Sequence, residues 1–500
     1  SHHHGRNTRI TGNTFLENNS IASFLVVDLD STLYANTYTN NTNNFIKVKG
    51  TRLEEYGRTY DWLNPGIPYR LDSHLNVFDN DGNENDENDA TVLKIYPGTI
   101  VQFNENKYLK IGNGGNERGA LDARGVTFTT VDTSTAINNN KVWSGIDIYD
   151  GAIDSTVIDS NIIEYANRAF EIHSGATPVI KNNTIRYNTD YGIYSHHHGR
   201  NTRITGNTFL ENPYIATFRV VDLDSTFYAN TYTNNTNNVI VVRDGHLSEY
   251  GRTYDWLDPG IPYRLDSDLN VFDNDGNEND ENDATVLKIY SGTTVQFNEN
   301  KYLQIGNGGI DRGALDARGV TFTSSGEYKW DGIKMVNGIA INHSNIINTT
   351  IEKANTGLLV DNDNYLPLIE KSTFRFNEVG FKIQSVLGTS ATVGGADSKT
   401  NTFYNNETAG IYNNTDTTNT TTNHTLIATY NNWGDKDGPR HINNPAGKGD
   451  SIIGKVEYYP WRIAQAVESF TLIQGLFGIT LNWTPSSTQN LTKYNIYRSS

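Results

Sequence analysis

Cysteine is absent from the 500 residues, and methionine occurs once. The lack of cysteine excludes disulfides and thiolate metal centres, although it names no compartment. No apolar run approaches membrane-spanning length, so insertion into a bilayer as a helix is excluded. No secretory signal is recognisable, and a chain that starts inside a repeat would have lost one. Proline is sparse at 12 residues, and helix formers are few beside abundant Asn, Thr, Asp, Gly and Tyr. Basic residues are outnumbered 40 to 57, for a net charge of -17. That balance disfavours nucleic acid and anionic membranes as partners, and suits cation binding or a solubilised exterior.

What the chain does have is repetition. The opening SHHHGRNTRITGNTFLEN, Ser1 to Asn18, recurs unchanged from Ser195 to Asn212. The copy continues through YGRTYDWLNPGIPYRL and VFDNDGNENDENDATVLKIY to LDARGVTFT with scattered changes. The three opening histidines are therefore a feature of the repeat and not a purification tag, because His196, His197 and His198 are the same feature inside the chain. A near-identical internal copy marks a modular array rather than one domain with unique parts.

A shorter period lies inside the long one. NIIEYAN begins at Asn161, NTIRYN at Asn183, NTFLEN at Asn207 and NTYTNN at Asn230, in steps of 22, 24 and 23 residues. A short strand-like run precedes each. Units of this length with several short strands predict a solenoid of stacked coils. The four asparagines are then expected to file at one corner, about 4.8 Å apart. Asn tolerates the left-handed backbone of a tight corner, and its amide can bond to the Asn above and below. Ile146, Ile148, Phe170 and Ile172 are expected to point into the core.

This pattern resembles the right-handed parallel β-helix proteins of the pectate-lyase-like superfamily, over nearly the whole chain to about Trp461. ATVLKIYPGTIVQF and its copy from Ala284 look like opening rungs of secreted bacterial β-helix proteins. NNWGDKDGP, Asn431 to Pro439, followed by VEYYPW, looks like a closing segment. The fold expected is all-β: a right-handed parallel β-helix in tandem modules, with a truncated β-sandwich at the C-terminus. Residues 1–58 read as the tail of one module, 59–252 as a complete module, and 253–463 as a diverged module with the closing segment. In the diverged module the corner file becomes Thr349, Ser372 and Asn401. Residues 464–500 resemble the first half of a fibronectin type III domain, with Trp483 and Tyr494 at its core aromatic positions; half a sandwich leaves its core uncovered, so poor order is expected there.

Several motifs could carry chemistry. DNDGNENDEND occurs at Asp79 to Asp89 and again at Asp273 to Asp283. Asp79, Asp81, Asn83, Asn85 and Asp86, with Asp273, Asp275, Asn277, Asn279 and Asp280, supply hard oxygen donors of the kind calcium takes. The glycine comes too early for an EF-hand and the twelfth-position Glu is missing; the alternative is an acidic solvated hairpin loop. In HHHGR, His196 and His198 would share one strand face, but no carboxylate is close in sequence, and an exposed coil corner is the expectation. Sequons such as Asn40 and Asn406 are expected by chance in so Asn- and Thr-rich a chain.

The resemblance also implies pectin-active enzymes as a functional comparison. Their lyases place calcium-holding carboxylates and a basic residue on an outer strand ladder, and their hydrolases use clustered Asp with His and Arg or Lys. NTD at Asn188 to Asp190 looks like one hydrolase motif, without its partner motifs. The outward column reads Asp147, Glu171, Tyr194 in one module and Lys334, Leu359, Lys382 in the next, a reversal not expected of a shared catalytic ladder. Tyr34, Tyr38, Tyr228 and Tyr232 are candidates either for stacking on sugars or for corner packing. The expected function is a rigid display or adhesion rod, secreted or at the cell surface, that binds carbohydrate or extracellular matrix. The alternatives are a polysaccharide lyase or glycoside hydrolase, and a purely structural spacer. Calcium is the expected cofactor, and neighbouring modules of the same longer chain are the expected contacts.

Overall fold

The computed structural model describes residues 8–80, 90–114, 117–134, 136, 141–153, 155–274, 283–309, 311–362, 366–384, 391–414, 425–463, 469–475 and 478–484. They form a right-handed parallel β-solenoid of about 16 turns with almost no helix. A typical coil contributes three short strands, one to each of three parallel-sheet faces. The longest sheet has 14 strands, from Arg52–Leu53 to Thr402–Tyr404. Its inward column runs in register through Leu109, Ile146, Phe170, Ile193, Ala216, Ile240, Tyr263, Val295, Phe322, Ile351, Phe374 and Phe403. Every one of these residues is buried. Strand alternation puts each apolar residue of GIDI or FEI on the same inner face as the coil below, so one core continues from coil to coil. Stacked rings fill the turns, with Phe103 against Trp143 at 4.7 Å and Phe297 against Trp330 at 4.4 Å.

The asparagine file forms as expected. Asn161 N–H donates to Asn183 Oδ1, Asn183 N–H to Asn207 Oδ1, and Asn207 N–H to Asn230 Oδ1, each at 2.9 Å. Each side-chain N–H in turn donates to a carbonyl one coil away, Asn183 to Ile158 and Asn207 to Ile180. One expectation needs correction. The left-handed residue is not the asparagine but the one before it: Ser160, Asn182, Gly206 and Ala229 have φ of 60°, 56°, 69° and 53°. The division is physical. The preceding residue turns the chain, and the asparagine, freed from that strain, aims its amide inward.

A second file runs beside the first. Asn188 N–H donates to Asn212 Oδ1 and Asn212 N–H to Asn235 Oδ1, again with left-handed residues before each, at Tyr187, Glu211 and Asn234. In the diverged module hydroxyls replace amides in the first file: Thr349 N–H donates to Ser372 Oγ at 3.2 Å, and Ser372 N–H to Asn401 Oδ1 at 2.9 Å. The second file continues there through Asn377 and Asn406 to Asp450.

Asp450 thus occupies an asparagine's place. Burial pushes its carboxyl up to about 6, against the opposing hydrogen bonds from Asn406. A pKa raised above the unfolded value of about 3.9 means stability that is fully present below about pH 4 and is lost as pH rises through about 6. Asp450→Asn keeps an acceptor for Asn406 and removes the buried charge. The variant is expected to match the parent at pH 4 and to exceed it by about 1–2 kcal/mol at pH 8, after discounting for partial exposure. Thermal melts at the two pH values check this; an equal margin at both would contradict it.

The two near-identical copies do not occupy the same faces. Leu75–Val77 lies in the 14-stranded sheet, but its copy Leu269–Val271 lies in a separate nine-stranded sheet that starts at His246–Leu247. The shift arises where Asn237–Arg243 stacks not on its own strand type but on Tyr263–Leu265. The earlier junction does the same, Asn43–Lys49 on Tyr69–Leu71. The ladder is unbroken across both junctions, while equivalent surfaces of successive copies advance by one face around the rod. Beyond the solenoid, Ser469–Gly475 and Gly478–Thr484 pair antiparallel. Tyr494 lies outside the described residues.

Candidate functional site

The outward side of the 14-stranded sheet carries the densest set of interacting polar and aromatic groups. Lys110, Asp147, Glu171, Tyr194 and Thr217 stand in register, one per coil. Two residues further along, just past the strand ends, Tyr149, His173 and His196 form a second column. Tyr149 and His173 stack at 3.8 Å, and His173 and His196 at 4.9 Å.

Charges pair across these columns. Arg168 donates from Nε to Asp190 Oδ2 at 3.0 Å, and its Nη1 lies 3.1 Å from Glu171 Oε2. Its guanidinium covers the Tyr194 ring at 3.9 Å. Arg243 also lies over that ring, at 4.7 Å, and donates to Tyr194 Oη and Thr217 Oγ1. Lys110 Nζ sits 4.0 Å from the Tyr149 ring. Burial pushes the Asp147 carboxyl up to about 7, and the neighbouring Glu171 charge adds to the effect. Burial acts the same way on Glu171, but His196 and Arg168 outweigh it and hold that carboxyl below its usual range. Burial lowers His173 to about 4, leaving a neutral imidazole near pH 7.

The face belongs to one module. At the corresponding register of the next, Lys334 pairs with Leu359 and Val336 with Asp361, on a different sheet. Most of the site also lies between residues 131 and 194, outside the near-identical copy.

Of the HHHGR histidines, His196 and His197 are half-exposed, as expected of a coil corner, and His198 is not. His196 Nε2 meets Glu171 Oε1 at 2.7 Å. His197 Nδ1 meets Asp222 Oδ1 at 2.7 Å, beside a groove of about 460 Å³ that includes Arg200, Arg219, Glu249 and Arg252. His198 is buried, with Ser195 Oγ on one ring nitrogen and the Asp222 carbonyl on the other. Carboxylates distant in sequence are brought in by the stacking of coils.

Other expected residues have structural roles. Asn188 of NTD is in the second asparagine file, and Asp190 is the partner of Arg168. Tyr38 stacks on Phe15 at 5.3 Å and Tyr232 on Phe209 at 5.9 Å, which is corner packing. Tyr34 and Tyr228 are half-buried at the equivalent corner of each copy. Asp79 and Asp273 are buried, and Asp79 Oδ1 accepts the Arg118 N–H at 3.0 Å. Asp81, Asn83, Asn85, Asp86, Asp275, Asn277, Asn279 and Asp280 lie outside the described residues.

Residues 124–250 match the family model for the right handed beta helix region. That segment contains Asp147, Glu171, His173, Tyr194, His196 and Arg243. No curated protein and no solved structure matches the chain. The fold is consistent with a surface or adhesion rod or a carbohydrate-active protein.

Proposed function

We propose that this chain is a rigid rod, secreted or held at the cell surface, that binds a polysaccharide along the outward face from Lys110 to Arg243. The observation that supports this most is the cluster around Tyr194, whose ring and hydroxyl gather the guanidinium groups of Arg168 and Arg243 on the outward face. It sits within a strip where rings and paired charges run in register along the rod axis. Aromatic faces take up sugar rings, and fixed Arg and Lys donors suit hydroxyl or carboxylate groups on the polymer. The sheet supplies the rigidity, so little ordering cost opposes binding.

A glycan array of acidic and neutral polysaccharides tests this. Tyr194→Ala is expected to weaken the best ligand at least tenfold, since truncating an anchoring aromatic costs about 2 kcal/mol or more. Lys382→Ala, on the other sheet, should leave binding unchanged. Failure of any glycan to bind, or equal binding by Tyr194→Ala, would overturn the reading.

A second reading places a polysaccharide lyase or glycoside hydrolase on the same face. Asp147 and Glu171 support it, because adjacent carboxyls whose pKa values are pushed apart can divide acid and base roles. The binding reading expects no release of reducing or unsaturated sugars; release abolished by Asp147→Asn would favour the enzyme.

A further inference from the structure

We infer that Glu171, His173 and His196 form a binding site for a divalent transition metal ion of the zinc type. This inference stands apart from carbohydrate binding. Glu171 lies on the strand Phe170–Ile172, His173 directly follows the end of that strand, and His196 directly follows the strand Tyr191–Ser195 of the coil stacked on it. One donor atom from each lies within 4.8 Å of the other two. Two imidazoles and a carboxylate make a donor set that zinc favours and that calcium or magnesium does not.

The second observation is an unpartnered donor. His173 Nε2 is buried and has no hydrogen-bond partner. A buried polar nitrogen without a partner is costly, and a metal ion would satisfy it. The ring is held between Tyr149 and His196, and Arg168 holds the far oxygen of Glu171, so two of the three ligands are already oriented by outer contacts.

Without metal, His196 and Glu171 bond to each other. Zinc bonds of 2.0–2.1 Å put tetrahedral ligands about 3.3 Å apart, so the widest separation, within 4.8 Å, closes by no more than about 1.5 Å while the 2.7 Å contact of His196 with Glu171 opens. His196 is the ligand able to move, because it lies at the end of its strand with its side chain 40% exposed. A water would complete the coordination. His198 cannot join, since both its ring nitrogens are already occupied.

The test is calorimetric titration with zinc chloride of the full chain carrying His2→Ala, His3→Ala and His4→Ala, which removes the other histidine run. One zinc per chain is expected, weakened at least tenfold by His173→Ala and by His196→Asn, and unaffected by His197→Ala. Cobalt loading should give the absorption bands of a four-coordinate site, lost in the same two variants. Circular dichroism identifies a variant that fails to fold, and the half-exposed His196→Asn then carries the result. No zinc uptake at millimolar metal, or uptake unchanged by His196→Asn, would overturn the assignment.

Discussion

Asn207→Ala is expected to lower the stability of the solenoid by about 3 kcal/mol, because it leaves several buried backbone and amide groups unsatisfied at a cost of about 1–3 kcal/mol each. Asn207 is fully buried. Its Oδ1 accepts from the backbone and side-chain N–H of Asn183, at 2.9 and 3.0 Å. Its Nδ2 donates to the Ile180 carbonyl at 3.0 Å and reaches Asn230 Oδ1 at 3.1 Å. Alanine leaves all of these facing a dry corner. Asn207→Ser is expected to lose roughly half as much, because Ser372 already does this work in the diverged module: its Oγ accepts from Thr349 N–H and donates to the Ile346 carbonyl. Urea denaturation of parent and both variants measures the difference. A loss below about 1 kcal/mol for alanine, or no advantage for serine, would show that the file does not hold the coils together.

A still larger effect is expected from Gly145→Ala. Gly145 has φ of +125°, and a Cβ there would lie 1.7 Å from the Arg168 carbonyl oxygen. That oxygen belongs to the backbone of the next coil and cannot swing aside. The same clash recurs at Gly332, 1.6 Å from the Thr356 carbonyl oxygen, which explains glycine in both WSGI and WDGI. Loss of more than about 4 kcal/mol, or failure to accumulate folded protein, is expected for either variant. Gly12→Ala is the control. Gly12 also has a positive φ, +69°, but nothing lies within 4 Å of its Cβ position, so only the backbone cost of about 1–2 kcal/mol applies. A mild effect at Gly145 would mean that the coils are not packed as closely as described.

The coil period, the inward column and the first asparagine file were legible because each repeats at nearly constant spacing. The second file carries the same signal, in the final Asn of NTIRYN, NTFLEN and NTYTNN. The left-handed position is hard to read because it falls on Ser160 and Ala229 as well as on Asn182 and Gly206, and only the last two are residue types that favour it. The one-face rotation between copies depends on how the chain crosses each junction, which strand patterns do not encode.

Asp147 and Glu171 could be paired from strand alternation alone. His173, His196, Arg168 and Arg243 could not. In a solenoid a residue's neighbours are one or two coils away in sequence: Glu171 lies 25 residues before His196, and Tyr194 lies 49 before Arg243. A search for carboxylates near HHH in sequence therefore looks in the wrong place. Reading the chain in steps of one coil would have found Glu171.

Oxidative footprinting of the chain with its best glycan ligand locates the face that binds. Protection is expected at Tyr149, His173, Tyr194 and Tyr214 along the long sheet, with Tyr412 and Tyr290 on other faces labelled as in the free chain. Protection centred on the sheet that carries Lys334 and Lys382, or spread evenly around the rod, would contradict it.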